Sequence, residues 1–235
     1  MASHRFRGLL GSLAAAAGVC FLLLGVQLSV SGNAMYAFLA WNLVLAAIPL
    51  VLALTIEAAS ALGGGAAVLA LTLLWILFLP NAPYLITDPF FHLGRDPALP
   101  LWFDVLLFAA FAATGLAFGL VSVHRLHGLA RRRLGPATVW AIIATVLAAS
   151  SFGIFLGRFD QLNSWDLLRR PFGVGSDLVS HMAPLPAAEF TAGFTLFLLI
   201  AYAAFDTLVG VCCDADVGRL AKTAGELRGS PRAPR

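Results

Sequence analysis

Apolar residues along this chain come in six long runs, at residues 9–30, 35–55, 62–79, 101–123, 137–156 and 190–211. At 1.5 Å of rise per residue, each run coiled as a helix spans about 30 Å of hydrocarbon. The alternation of a transmembrane β-barrel is absent, and an open sheet would leave backbone groups unsatisfied in lipid, so the runs predict helices. Of the formal charges, only Asp104 and Asp206 fall inside them. The predicted fold is therefore all-α: a polytopic bundle of six transmembrane helices occupying residues 1–213. Residues 214–235 form a polar tail expected to lack fixed structure.

The polar positions orient the bundle. With the N-terminus inside, eleven of the fifteen basic residues fall on inner segments, and only Arg95, Arg158, Arg169 and Arg170 on outer ones. The positive-inside rule thus predicts both termini in the cytoplasm. Asp88, Asp96, Asp104, Asp160, Asp166, Asp177 and Glu189 lean to the outer side. The first apolar run, at 22 residues, exceeds a signal-peptide core of about 7–15 and is read as a retained helix. Composition adds an exclusion: 60% hydrophobic and 11% charged residues are incompatible with a water-soluble globule, which carries about 25% charged. A net charge of +3 is too small and too scattered for a nucleic-acid partner. Cys20, Cys212 and Cys213 are not placed to staple a loop.

Two connections, 80–100 and 157–189, are long, and both lie outside. They are too rich in Trp, Phe, Tyr, Leu and Pro for disorder and are expected to fold back on the outer surface. Small-residue pairs, Gly115/Gly119 and Gly153/Gly157, predict close helix packing, with a homo-oligomer as the less favoured use.

The first loop opens Leu79-Pro80-Asn81-Ala82-Pro83-Tyr84 and continues through Asp88-Pro89-Phe90-Phe91-His92. The prolines are expected to stop the third helix and bias Leu79 and Ala82 towards extended backbone, with Asn81 and Tyr84 able to partner the freed groups. Asp88-Pro89 reads most simply as an N-cap and first helical residue, which puts His92 one turn above Asp88. Asp88 and His92 could share a proton or hold a metal, but two ligands do not make a site, and neither metal nor cofactor is expected.

The second loop carries Arg158, Asp160, Asn163, Trp165, Asp166, Arg169 and Arg170. Asn163 as a cap with Asp166 in the first turn and the arginines at the far end accounts for most of this pattern. Arg158, directly after the fifth run, needs a carboxylate, and Asp104, Asp88 and Asp160 are all available. Gln27 and Asn42 lie at the same level. The outer half thus collects the polar side chains, as an outward-opening pocket or as a structural network.

Trp75-Ile76-Leu77-Phe78-Leu79-Pro80-Asn81-Ala82-Pro83-Tyr84 through Thr87-Asp88 and His92-Leu93 resembles the first signature of the bacterial domain-of-unknown-function family 1361. Trp102-Phe103-Asp104 resembles its aromatic-aromatic-Asp element, and Leu156-Gly157-Arg158-Phe159 with Asn163-Ser164-Trp165-Asp166 its second signature. The similarity runs from about Trp41 to Val211 and departs at Pro89 and at Asp160-Gln161-Leu162. It implies a multi-pass protein of the bacterial cytoplasmic membrane with no assigned reaction.

The expected function is an outward-facing site for a lipid or cell-envelope headgroup. Arg158, Arg169 and Arg170 would contact phosphate, with Asn81, Tyr84, Asn163 and Trp165 as further binding groups. Asp88, His92, Asp104 and Asp166 are the candidates for acid–base work. No nucleophile–base pair is visible, so enzyme status stays open. The alternatives are a transporter or channel, and an assembly protein docking an envelope partner through its outer loops. Membrane lipid is a partner in every case.

Overall fold

The structure is a computed structural model that describes the backbone of residues 2–159 and 185–229 and the side chains of residues 6–159 and 187–211. Its helices are α1 (Ala2–Ser31), α2 (Phe38–Ala61), α3 (Gly65–Phe78), α4 (Asn81–Tyr84), α5 (Pro89–His92), α6 (Leu101–Ala130), α7 (Pro136–Phe159) and α8 (Leu185–Gly229), with a 3-10 turn at Leu85–Thr87 after α4. No strand occurs among the described residues.

Six stretches are long and apolar enough to cross a membrane: Phe6–Ser31, Phe38–Ala61, Gly65–Thr87, Leu101–Ala130, Pro136–Phe159 and Ala187–Val211. These correspond one to one with the six apolar runs. The ends move outward most at the third and fourth spans. α6 continues seven residues beyond 123, because Arg125, His124 and His127 find acidic or hydroxyl partners that let the helix carry polar groups. α8 is continuous past Val211 to Gly229.

Helix α6 is the hub. It packs against α1, α2 and the α4 turn; α2 also packs on α3, and α8 lies mainly along α7. The interior separates into two clusters. One joins α1, α2 and α6 around Cys20, Leu39, Leu43, Leu107, Phe108 and Phe111, with Ala82 and Leu85 of the α4 turn inserted into it. The other joins α2, α3, α6, α7 and α8 around Ile56, Trp75, Leu79, Val139, Ile143 and Tyr202. Lipid tails are as apolar as these side chains, so the clusters hold by packing and hydrogen bonding rather than by escape from water. Cys20 illustrates this: it is fully buried, with its Sγ 3.3 Å from the Thr114 hydroxyl.

Large apolar side chains such as Leu22, Val51, Leu69, Leu73 and Ile200 point away from the bundle, which is expected of a lipid-facing surface. Trp41, Phe90, Trp102 and Phe159 are exposed near the ends of their helices, in the manner of an interfacial aromatic belt.

Candidate functional site

Helix α3 ends at Phe78, just before Pro80 as expected, but the span continues through a helical turn to Thr87. Leu79 is α-helical (φ −54°, ψ −39°), Pro80 is helical, and Ala82 sits inside α4, which corrects the expectation of extended backbone before each proline. The missing proline donors are replaced locally. Ala82 N donates to Leu79 O at 3.1 Å, Tyr84 N to Pro80 O at 3.1 Å, and Asn81 Nδ2 to Phe78 O at 2.9 Å. Tertiary packing supplies the rest. A methyl on Gly115 of α6 would lie 2.5 Å from Leu85 Cδ1 and 2.7 Å from Ala82 O; one on Gly153 of α7 would lie 2.7 Å from Pro80 Cγ. The two small-residue faces read from the sequence therefore grip this tightened turn from either side, leaving no room for an extended strand.

The turn delivers Asp88 to Arg158. The carboxylate is 1% exposed and the guanidinium 8%. Arg158 Nη2 donates to Asp88 Oδ1 at 2.5 Å, and Nε and Nη2 donate to Thr87 Oγ1 at 3.0 and 2.7 Å. Thr87 passes its own proton back to Tyr84 O at 2.7 Å. Asn42 Nδ2 of α2 donates to Asp88 Oδ2 at 3.3 Å, so three spans meet at one carboxylate. The guanidinium lies over the Tyr84 ring, 4.2 Å from its centre, with the Phe91 ring at 5.1 Å. Burial pushes the Asp88 carboxyl above its ordinary range, against the opposing pull of Arg158 and Asn42. Asp88 is thus an ion-pair partner. It stands at the N-cap position of α5 with Pro89 as the first helical residue, as read from the sequence, but its backbone is helical (φ −60°, ψ −41°) and it makes no side-chain capping bond.

A second network lies beside the first. Asp104 Oδ2 accepts from Gly94 N at 3.1 Å and lies 2.9 Å from the Tyr36 hydroxyl, which is also 2.9 Å from the His92 carbonyl. That hydroxyl accepts from Asp96 N at 3.3 Å. Burial, then the adjoining Asp104 carboxylate, pushes the Tyr36 phenol up to about 12. Asp96 Oδ1 accepts from Ala98 N, while its Oδ2 accepts from Gln27 Nε2 at 2.8 Å and Asn33 Nδ2 at 3.2 Å. These donors, the Ala98 N–H foremost, hold the Asp96 carboxyl below its usual range.

Of the residues singled out in the sequence, the structure brings Tyr84, Asp88 and Arg158 together. It places Asp104 in the neighbouring network rather than on Arg158. The side chain of His92 does not meet the Asp88 carboxylate; its Nδ1 is 3.1 Å from the Asp88 carbonyl, and its ring packs on Phe38. Asn81 serves the backbone of the turn. Asn163, Trp165, Asp166, Arg169 and Arg170 lie outside the described residues. Among the described residues no group of three His, Cys, Asp or Glu is arranged to hold a metal ion.

Sequence reasoning missed Tyr36, a lone tyrosine in the six-residue link between two spans. Its only signal was position, opposite a loop carrying two carboxylates. Thr87 was visible only as part of the family signature.

A family profile described as a protein of unknown function (DUF1361) matches residues 41–202. The chain belongs to the DUF1361 family. The match takes in α2 to α7 and most of the spanning part of α8, and so both halves of the Asp88–Arg158 pair. Neither the curated proteins nor the solved structures yield a match to this DUF1361 chain.

Proposed function

We propose that this DUF1361 protein sits in a bacterial cytoplasmic membrane with both termini inside, and that the end carrying Arg158 faces outward and holds the phosphate-bearing headgroup of a lipid or envelope precursor. The observation that carries this reading is the state of the guanidinium. Thr87, Asp88 and Tyr84 fix its plane, engaging Nε and Nη2, while no hydrogen bond involves Nη1 among the described residues. A preoriented arginine edge at the membrane boundary binds an oxyanion with little further ordering cost.

A second reading is favoured by the depth of the pair. With Asp88 at 1% exposure, the network also works as a bolt between the second, third and fifth spans, and the protein is then a scaffold for a partner. The full chain in lipid nanodiscs separates the two by native mass spectrometry beside melting temperature. R158K keeps the charge but loses the planar fork. Loss of a co-purifying phosphate-bearing molecule from folded R158K supports the headgroup site. A wild type that retains none, with R158K merely less stable, overturns it in favour of the bolt. Orientation is checked separately, by labelling cysteines introduced at Arg95 and at Arg133 from each side of intact cells.

A further inference from the structure

At the end of the bundle opposite Asp88, α2, α3, α6 and α7 splay around a cleft of about 370 Å³. Its walls are apolar, built from side chains such as Ile56, Val68, Trp75 and Ile143. The volume falls within the range of a small-molecule site, and the lining suits a hydrocarbon chain. Ser60, Leu129 and Arg133 are shared with an adjoining cavity of about 330 Å³ that is also bordered by Glu57, Arg125 and Arg132. The two cavities adjoin at these residues and together make a recess with a greasy interior and a charged mouth.

The mouth is positive. Glu57 accepts from Arg125 Nε at 2.9 Å and Nη2 at 2.5 Å, so those two charges cancel. Arg132 and Arg133, exposed in the turn between α6 and α7, have no carboxylate partner among the described residues. A separate observation also points to a ligand. His127 lines the cleft at 4% exposure, and its Nε2 is buried without a hydrogen-bond partner among the described residues. Its Nδ1 is 2.5 Å from the Tyr202 hydroxyl and 3.6 Å from Asp206 Oδ1. With the ring proton on Nε2, that atom needs an acceptor such as an ester carbonyl; with the proton on Nδ1, Nε2 needs a donor such as a hydroxyl. Either way, leaving a buried polar atom unmatched is costly.

We infer that this recess is a binding site for an anionic glycerophospholipid of the surrounding bilayer. One acyl chain enters between α2, α3, α6 and α7, the ester region reaches the level of His127, and the phosphate lies between Arg132 and Arg133. The site shares no residue with the Arg158 end, so either assignment stands or falls without the other.

The test uses the full chain in nanodiscs of equal parts phosphatidylglycerol and phosphatidylcholine, with retained lipid counted by native mass spectrometry. Wild type is expected to keep phosphatidylglycerol selectively. The double variant R132Q/R133Q is expected to lower that retention about thirtyfold, the worth of two arginines at a charged surface. Both arginines are exposed and have no carboxylate partner among the described residues, so the variant should still fold and melt cooperatively, lower only by the stabilisation the lost lipid supplied. V68F, which fills the cleft, should lower retention while leaving the arginines in place. Equal retention of both lipids by wild type, or undiminished selectivity in R132Q/R133Q, overturns the assignment. So does selectivity that survives in V68F, because the cleft would then be idle.

Discussion

Removing Arg158 should be the most damaging single change at the Asp88 end, and its cost should depend on pH. In R158A the Asp88 carboxylate keeps its burial and its 3.3 Å bond from Asn42 but loses the 2.5 Å ion pair. Hydrogen bonds alone are too weak to matter most, since interhelical ones in membranes average about 0.6 kcal/mol. Stranding a buried charge costs about 3–5 kcal/mol and dominates. Protonation limits that cost. Burial already holds the folded carboxyl above its unfolded value, and loss of Arg158 raises it further. A raised folded value favours the folded state at low pH, and this advantage is lost as pH rises from the ordinary carboxylate value through the folded one. The R158A penalty should therefore approach about 3 kcal/mol at pH 8 and shrink towards pH 5. Unfolding in mixed micelles with a denaturing detergent, followed by tryptophan fluorescence, measures it. The double variant R158A/D88N should recover much of the loss at pH 8, because no charge is left stranded. Wild-type stability in R158A, or a penalty unchanged between pH 5 and 8, would refute the reasoning.

Other perturbations have smaller and distinct signatures. G115A places a methyl 2.5 Å from Leu85 Cδ1 and 2.7 Å from a backbone carbonyl, so the same unfolding assay should show a loss of about 1–3 kcal/mol. G128A, also in α6 but with nothing within 4 Å, should gain about 0.5–1 kcal/mol from helix propensity. Y36F removes the hydroxyl shared by Asp104, His92 and Asp96 and should cost about 1–3 kcal/mol, read as an earlier detergent midpoint. E57Q breaks a half-exposed pair with Arg125 and should change stability by less than about 1 kcal/mol, an effect that added salt erases.

The spans were legible because lipid imposes a length and a polarity on each of them. The pairing of side chains was not, and the reasons differ by residue. Arg158 demanded a carboxylate, but choosing Asp88 over Asp104 needed the direction of the turn after Pro80, and local rules before proline predicted the wrong backbone there. That backbone is set by Gly115 and Gly153, legible in the sequence as packing positions but distant from the Pro80 turn they contact. Asp104 is withdrawn from Arg158 by Tyr36 and by the Gly94 N–H, neither of which has a periodic signature. His127 and Tyr202 carry no signature in the sequence: the one follows the fourth apolar run and the other lies within the sixth. Only the packing of α6 on α8 shows them as a buried pair.

The Asp88–Arg158 pair also bears on how the chain is made. Its partners are separated by 70 residues. At about 5–20 residues per second, Arg158 leaves the ribosome roughly 4–14 s after Asp88. During that interval α6 can already engage the turn through Gly115, while α7, with Gly153 and the guanidinium, does not yet exist. The nascent chain therefore holds a half-clasped turn with an unmatched acid at the bilayer edge, one that burial inclines to carry a proton. Arrival of the fifth span ends that state by seating Pro80 and exchanging the proton for a fixed cation. The clasp thus closes only when α7 is in place, and a chain truncated before residue 158 keeps Asp88 without its cation.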